Sequence, residues 1–405
     1  MRRVAVAELG PGMRLARAVH SERGDLLLNA DVVVTERYID LLRERGFSTV
    51  FVVDGDTSDL GIEDVISERV RLTVTADLCR VYEVMERATA AYRDEPAPTV
   101  EQELQSGDLA RAVRDHAAYG ALQKDIEAVI DEVLEADILK GLGTLRATDS
   151  YQFVHALDST AVAVMLGRRL HYQLEDLKRL ASGCLLHDIG MVLIDRAIAQ
   201  KPGRLNPDEL VALRKHPQLG YELLRKLRPS EFLANHVAYQ HHERQDGTGY
   251  PRGLHGSNKV YRAGLERGAG GRIVLDAEIV AVADVYDAIS SDQPYRPAYP
   301  PDQVVRIMRR LGGTHLNREV VNQLLAVLPV YPLGSDVVVM TGRYTRYRGI
   351  VSRVHREEFD RPTIRLLFDA DRRRIDPVEI DLRQSDEVVA STPLVPAEPA
   401  AAPAR

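Results

Sequence analysis

Five histidines in the central part of the chain stand beside acids or beside one another, and two aspartates accompany them. They are His155, His187, His216, His241 and His242, with Asp188 and Asp284. Imidazole nitrogens and carboxylate oxygens from facing helices commonly bind divalent transition metals. One carboxylate can bridge two ions, and two ions can bind a hydroxide and a phosphate group between them. These residue types therefore indicate a dinuclear metal site that acts on phosphate esters.

The sequence around these residues indicates that several of them are buried. The segment GCLLHDIG is predicted as a helix that presents His187 and Asp188 from an apolar face, where unpaired polar groups are unfavourable. Asp284 lies in the apolar run EIVAVADVYDAI, and His241 and His242 close a helix before the glycine-containing loop ERQDGTGYP. Each residue alone is more often a hydrogen-bonded core residue than a ligand. The metal prediction therefore rests on the whole set in this order.

The composition indicates a globular protein with more than one folded unit. The chain is 45% hydrophobic and 28% charged, as is usual for a globular protein. Its length of 405 residues exceeds the usual size of a domain with a single hydrophobic core. A net charge of −7 argues against a nucleic-acid polymer as partner. The chain has two cysteines, Cys79 and Cys184, which are too few for a disulfide framework. A reducing, cytoplasmic location is therefore favoured. The sequence predicts neither a membrane span nor a signal peptide.

Periodicity predicts a mainly α protein with β structure at both ends. The predicted segments are a small α+β domain over 1–60, a helical segment over 61–147 with a linker near 93–106, a helical domain over 148–332, a β extension over 333–390 and a disordered tail over 391–405. In the first of these, Thr35 is expected to cap a helix that stops at Gly46.

The histidine and aspartate motifs resemble those of the HD-GYP family, a branch of the HD-domain metal-dependent phosphohydrolases. The matching segments are YQFVHALDSTAV, LLHDIG, QKPGRLNPDELVALRKHPQLGYELL, HHERQDGTGYPRGLHG, VADVYDAISSDQPYRPA and GGTHL. Both flanks also resemble parts that accompany this family, including an N-terminal domain of unknown function. The resemblance implies a central HD-type helical bundle. It also implies hydrolysis of the bacterial signalling molecule cyclic di-GMP to linear pGpG, with further cleavage to GMP left open.

The resemblance also implies a set of metal ligands. One ion would be bound by His155, His187, Asp188 and Asp284, and the other by Asp188, His216, His241 and His242. Asp188 would then bridge the two ions, with His187 and Asp188 as the catalytic pair. Tyr151 stands where some members carry the Glu of a third metal site, which favours two ions. Iron or manganese is the metal that the family implies.

Substrate contacts are expected at Tyr250, Arg296 and Lys201. Asp246 and Gly247 are expected to support the ligands, with the Asp246 carboxylate orienting a ligating histidine. Two positions depart from the family pattern, because Met191 and Gln293 stand where cations are usual. Arg262, Arg267 and Arg272, in an insertion over 257–272, are candidates to replace them.

These departures leave alternatives open. A receptor or scaffold that binds cyclic di-GMP or a protein partner with little catalysis is one, and a phosphohydrolase for another cyclic dinucleotide is a second. The apolar residues of the segment before the bundle, Ile126, Val129, Ile130, Val133 and Leu134, are compatible with a homodimer contact or with packing on their own domain.

Overall fold

The computed structural model describes residues 2–20, 26–47, 49–53, 55, 59–60, 65–89, 117–136, 151–199, 201, 203–227, 230–260, 271–291 and 298–391. Several predictions concern positions outside these residues. They are the linker near 93–106, Arg262, Arg267, Gln293, Arg296 and the tail beyond Ser391.

The N-terminal unit combines short strands with one helix, as the sequence predicts. Its elements are β1 (Arg2–Ala5), β2 (Val19–His20), β3 (Leu26–Leu28), α1 (Glu36–Glu44) and β4 (Thr49–Val52). Strands β1 and β4 pair antiparallel, as do β2 and β3. The Thr35 side chain accepts a hydrogen bond from Tyr38 N and so caps α1, and Gly46 adopts a φ of 72° just beyond the helix.

Helices form the centre of the molecule. They are α2 (Glu68–Thr89), α3 (Ala117–Glu135), α4 (Tyr151–Arg169), α5 (Leu174–Leu185), α6 (Arg196–Ala199), α7 (Pro207–Leu213), α8 (His216–Leu227), α9 (Phe232–Gln240), α10 (Leu275–Ser290), α11 (Pro301–Leu311) and α12 (Arg318–Leu325). Helix α4 packs against α2, α3, α5 and α10, and one hydrophobic core runs through all of them. Among the described helices, none is both long and apolar enough to cross a membrane.

Helix α3 packs on its own chain. Ile126, Val129, Ile130 and Val133 are buried in the core that they share with α2 and α4. Of the two readings that the sequence left open for this helix, the structure therefore shows the intramolecular one.

A five-stranded antiparallel sheet follows the helices and contains the predicted β extension. Its strands are β5 (Asp336–Val339), β6 (Arg348–Arg353), β7 (Thr363–Phe368), β8 (Arg374–Asp381) and β9 (Val389–Ser391), in the order β8-β7-β6-β5-β9. The alternating hydrophobic pattern of the sequence predicted strands at β5, β6 and β7 but not at β8. The reason is that β8 is a largely exposed edge strand and contains Pro377, so it lacks a clear hydrophobic alternation.

The N-terminal unit and the sheet meet at the segment just before α2. Leu60 is buried against Ile350 and Leu367 of the sheet. Next to it, the Asp59 carboxylate accepts two hydrogen bonds of 2.7 Å from the Arg365 guanidinium. Residues about 300 positions apart in sequence are therefore in direct contact.

Candidate metal centre

The motif HDIG forms a turn after a helix. Helix α5 ends at Leu185, and His187 and Asp188 precede a 3₁₀ turn over Ile189–Leu193. The prediction of a helix through this motif is therefore wrong at its end. The physical reason is geometric, since consecutive helical residues diverge by about 100° around the axis, given 3.6 residues per turn. In the observed turn, His187 Nε2 lies 3.6 Å from Asp188 Oδ2.

Gly190 allows this turn to lie directly on helix α8. A Cβ atom at this position would overlap the carbonyl oxygen of His216 and the amide nitrogen of Gly220. Because the glycine has no side chain, the two backbones approach closely and Asp188 meets the first residue of α8. His216 Nε2 lies 3.2 Å from Asp188 Oδ1.

The side chains around Asp188 form two overlapping groups. In the first group, one ligand atom each from Asp188, His216, His241 and His242 lie within 4.8 Å of one another. In the second group, His155, His187 and Asp188 meet the same limit. Asp188 is the member that both groups share, as expected for a carboxylate that bridges two ions.

Asp284 joins the cluster through His155. Its Oδ1 atom lies 3.0 Å from His155 Nε2, and its side chain is only 14% exposed. Helices α4 and α10, which pack against each other, supply these two residues. The structure thus brings together all seven residues that the sequence analysis selected.

The outer ring nitrogens of four histidines are held by other groups. Main-chain carbonyls lie opposite three of them: Cys184 O is 2.7 Å from His187 Nδ1, Leu213 O is 2.8 Å from His216 Nδ1, and Ala238 O is 2.9 Å from His241 Nδ1. Each Nδ1–H donates to its carbonyl, which leaves Nε2 as a lone-pair donor towards the cluster.

His155 is held by a side chain instead. Asp287 Oδ2 lies 2.6 Å from His155 Nδ1, and both residues are buried. Sequence reasoning missed Asp287. Its signal was present, because Asp287 follows Asp284 by three residues in a predicted helix and therefore lies on the same face.

Charge and burial prepare these groups to bind a cation. Burial tends to raise the pKa of Asp188, but the neighbouring imidazoles of His187, His216 and His241 outweigh it and hold that pKa well below its usual value. Desolvation lowers the pKa of His242 well below its ordinary value, and it lowers the pKa of His187 as well. At neutral pH Asp188 is therefore a carboxylate, and His187 and His242 are neutral imidazoles. Such a donor set fits a divalent transition metal.

The loop after α9 covers one side of the cluster. The Tyr250 ring stacks on the His242 ring with centroids 4.8 Å apart. Buried Glu243 accepts hydrogen bonds of 2.8 Å from the amides of Arg252 and Leu254 and so fixes the path of the loop around Tyr250.

Two expected contacts, one that supports a ligand and one to the substrate, differ from those that the structure shows. Asp246 is exposed, and its Oδ1 atom accepts from Thr248 N and Thr248 Oγ1 rather than from a ligating histidine. The reason is the local turn at Gly247, where φ is 77° and the carboxylate folds back on its own loop. Lys201 Nζ contacts both carboxylate oxygens of Glu209 at 2.7 and 2.8 Å, which neutralises its charge.

Two further positions named in the sequence analysis are Met191 and Arg272. Met191 packs against the main hydrophobic core from the 3₁₀ turn. Arg272 is exposed and forms a β-bridge with His255. Neither contact supplies a cation to the cluster.

Comparisons with known proteins identify similar sequences. Residues 137–259 match the model of a family described as "HD domain". A cyclic di-GMP phosphodiesterase of Pseudomonas aeruginosa is 28% identical over 91% of this chain and 86% of its own length. The cyclic di-GMP phosphodiesterase response regulator RpfG of Xanthomonas campestris pv. campestris is 34% identical over 40% of each chain. The 3'3'-cGAMP-specific phosphodiesterase 3 of Vibrio cholerae is 33% identical over 46% of this chain and 37% of its own.

The family match begins before His155 and ends after the GYP loop, so it contains six of the seven cluster residues. Residues 137–259 therefore match the HD-domain family, and the motifs that they contain are similar to those of its HD-GYP branch.

Proposed function

We propose that this protein hydrolyses the phosphodiester bonds of cyclic di-GMP at the histidine and aspartate cluster. The observation that carries the proposal is the convergence of five imidazoles on Asp188 and Asp284. The substrate follows from the relatives, of which the one that matches along most of its length is named a cyclic di-GMP phosphodiesterase. The product is pGpG, with GMP as a further product if the linear dinucleotide rebinds.

Two divalent ions are the proposed cofactors, with iron or manganese as the metal. His155, His187, Asp188 and Asp284 would hold one ion, and Asp188, His216, His241 and His242 the other. The mixed nitrogen and oxygen donors support this choice of metal. Such ions supply an activated water nucleophile and neutralise phosphate charge.

Groups around the cluster would orient the metal ligands and the substrate. The carbonyls opposite the Nδ1 atoms of His187, His216 and His241, and Asp287 opposite His155, keep each ring turned with Nε2 inward. Tyr250 presents its ring and hydroxyl at the edge of the cluster, where a substrate phosphate would contact it. Arg296 keeps its expected role as a phosphate contact.

The test is to incubate the metal-loaded protein with cyclic di-GMP and to separate the nucleotides by chromatography. D188A and H187A should lose metal content and turnover together, because both groups around Asp188 are disrupted. H355A is the control, since His355 follows strand β6 and its Nε2 atom lies 3.0 Å from Thr363 Oγ1 of β7. Full turnover in D188A would contradict the proposed site.

A receptor without catalysis is less favoured, because the whole ligand set is retained despite Met191. Hydrolysis of another cyclic dinucleotide is the stronger alternative, since one relative is named a 3'3'-cGAMP-specific enzyme. Direct competition between cyclic di-GMP and 3'3'-cGAMP in the same assay separates the two substrates.

A cytoplasmic location is proposed as well, and it is supported by the two cysteines, neither of which forms a disulfide. A homodimer and a signalling partner stay predictions from the sequence.

A further inference from the structure

Arg214 occupies a position that the sequence motifs did not single out. It is the first residue of the two-residue turn between α7 and α8, two positions before the candidate ligand His216. Its amide donates to Leu210 O at 3.0 Å, so the backbone is held at the end of α7. The position of the Arg214 backbone is therefore fixed by α7.

The Arg214 guanidinium is connected to the cluster through the Tyr250 ring. Its Cζ atom lies 5.2 Å from the centroid of the Tyr250 ring. Tyr250 in turn stacks on His242 at 4.8 Å, with 28° between the ring planes. Stacking fixes the plane of a guanidinium while leaving its N–H edge available to an anion.

The charge of Arg214 is not neutralised by a carboxylate within the described part of the chain. The side chain is exposed and lies over the Tyr250 ring. Lys201, by contrast, is paired with Glu209. Arg214 is thus a fixed, uncompensated cation beside the cluster.

The contacts of Tyr250 indicate which part of a substrate Arg214 would reach. The guanidinium contacts the Tyr250 ring and that ring contacts His242, so Arg214 is connected to the cluster through Tyr250. A phosphate held among the ligand atoms would therefore meet the ligands, and a second phosphate of the same molecule would meet Arg214. Because arginine binds phosphate oxygens through two parallel N–H donors, one such contact gives both affinity and orientation.

We infer that Arg214 is a substrate-binding residue for the phosphate that is not being cleaved, and that the site therefore selects ligands with two phosphodiester groups. This inference rests on the proposed function and specifies how the site recognises a cyclic dinucleotide.

The experiment compares the wild-type full chain with R214A, R214K and R252A. Arg252 is the matched control, because it is also exposed and lies over a tyrosine ring, that of Tyr239, at 5.9 Å. Affinity for a phosphorothioate analogue of cyclic di-GMP is measured by calorimetry on metal-loaded protein. Cleavage of bis(4-nitrophenyl) phosphate, which has one phosphodiester group, is measured in parallel.

R214A should weaken binding of the dinucleotide about tenfold, R214K should recover part of the loss, and R252A should bind as the wild type does. Cleavage of bis(4-nitrophenyl) phosphate should be unchanged in all three. Equal losses for both ligands, or no loss in R214A, would overturn the inference. If the wild-type protein cleaves bis(4-nitrophenyl) phosphate but does not bind the dinucleotide, the proposed substrate itself is wrong, and this outcome is visible without any variant.

Discussion

His155 differs from the other candidate ligands in how its ring is held. The carbonyls that face His187, His216 and His241 belong to the backbone and survive any substitution of the residues that carry them. The partner of His155 is the Asp287 carboxylate, a group that a single mutation removes. Loss of a residue that hydrogen-bonds to a metal-binding histidine usually lowers metal affinity by about 10- to 100-fold.

We therefore expect D287A to lower metal affinity by about tenfold or more, with D287N in between. The reason is that His155 loses the partner of its Nδ1 atom and with it a fixed ring orientation. Metal content per chain, measured by mass spectrometry after dialysis against graded metal concentrations, reports the change. S291A is the control, because Ser291 Oγ lies 3.5 Å from the other oxygen of Asp287. Metal retention equal to that of the wild type in D287A would show that Asp287 does not orient the ligand.

Between elements, the approach of the HDIG turn to α8 determines whether the two halves of the cluster meet. Gly190 has no space for a side chain, because backbone atoms of His216 and Gly220 fill the position. Backbone atoms cannot rotate away as a side chain can, so any larger residue must separate the turn from the helix.

G190A is expected to destabilise the helical domain by about 1–3 kcal/mol and to reduce metal binding, because Asp188 moves away from His216. G120A tests the effect of the same chemical change elsewhere. Gly120 lies in α3 with open space around it, so alanine there should be neutral or slightly stabilising. Thermal unfolding and metal content are compared for both variants. If G190A retains both, close approach of the two backbones is not required.

The contact between α2 and α3 contains two neighbouring carboxyl groups. Burial, followed by the charge of Asp77, raises the pKa of Asp125 to about 6. Asp125 Oδ2 has no hydrogen-bond partner among the described residues. An acid with a raised pKa in the folded state disfavours folding once it ionises.

Stability should therefore decrease as pH rises from about 4, where the unfolded acid ionises, to about 6, where the folded acid does. D125N should remove this dependence and stabilise the protein at pH 7 by about 1–2 kcal/mol, allowing for partial solvent screening. Thermal unfolding between pH 5 and 7 measures the effect, with the exposed acid on the same helix, D131N, as control. A D125N profile parallel to that of the wild type would contradict the assignment.

In the whole molecule, the terminal sheet is connected to the segment that joins the N-terminal unit to α2. Leu60 is buried on the sheet, and Asp59 pairs with Arg365 beside it. The hydrogen bond from Arg365 lowers the pKa of Asp59 to about 2. The pair is therefore formed at neutral pH, and it is lost only as pH falls from about 4 towards 2.

D59N should loosen this junction with little effect on overall stability, because exposed ion pairs contribute about 0–1 kcal/mol. Hydrogen exchange at neutral pH should become faster around Leu60 and in β7 while the helical core is unchanged. R383A, which breaks the Arg383–Asp381 pair within the sheet segment, should leave exchange around Leu60 as it is. Unaltered exchange in D59N would mean that hydrophobic contact alone holds the junction.

The sequence alone determined the chemistry of the cluster and the fold class. The seven candidate ligands occur in short motifs of fixed order, and imidazole and carboxylate groups carry their metal preference wherever they are placed. The α and β periodicities likewise are local properties, so the mainly α centre and its flanking β parts were correctly predicted.

Only the tertiary structure decided which charges and ring nitrogens remain available. Three pairs join positions whose separation in the sequence follows no periodic pattern. They are Lys201 with Glu209, His155 with Asp287, and Asp59 with Arg365. The packing of α3 on its own chain and the contact of Arg214 with Tyr250 likewise join residues that no local pattern relates. The physical reason is that a residue's partner is set by how elements pack, and packing depends on the fit of whole surfaces that no single stretch of sequence contains.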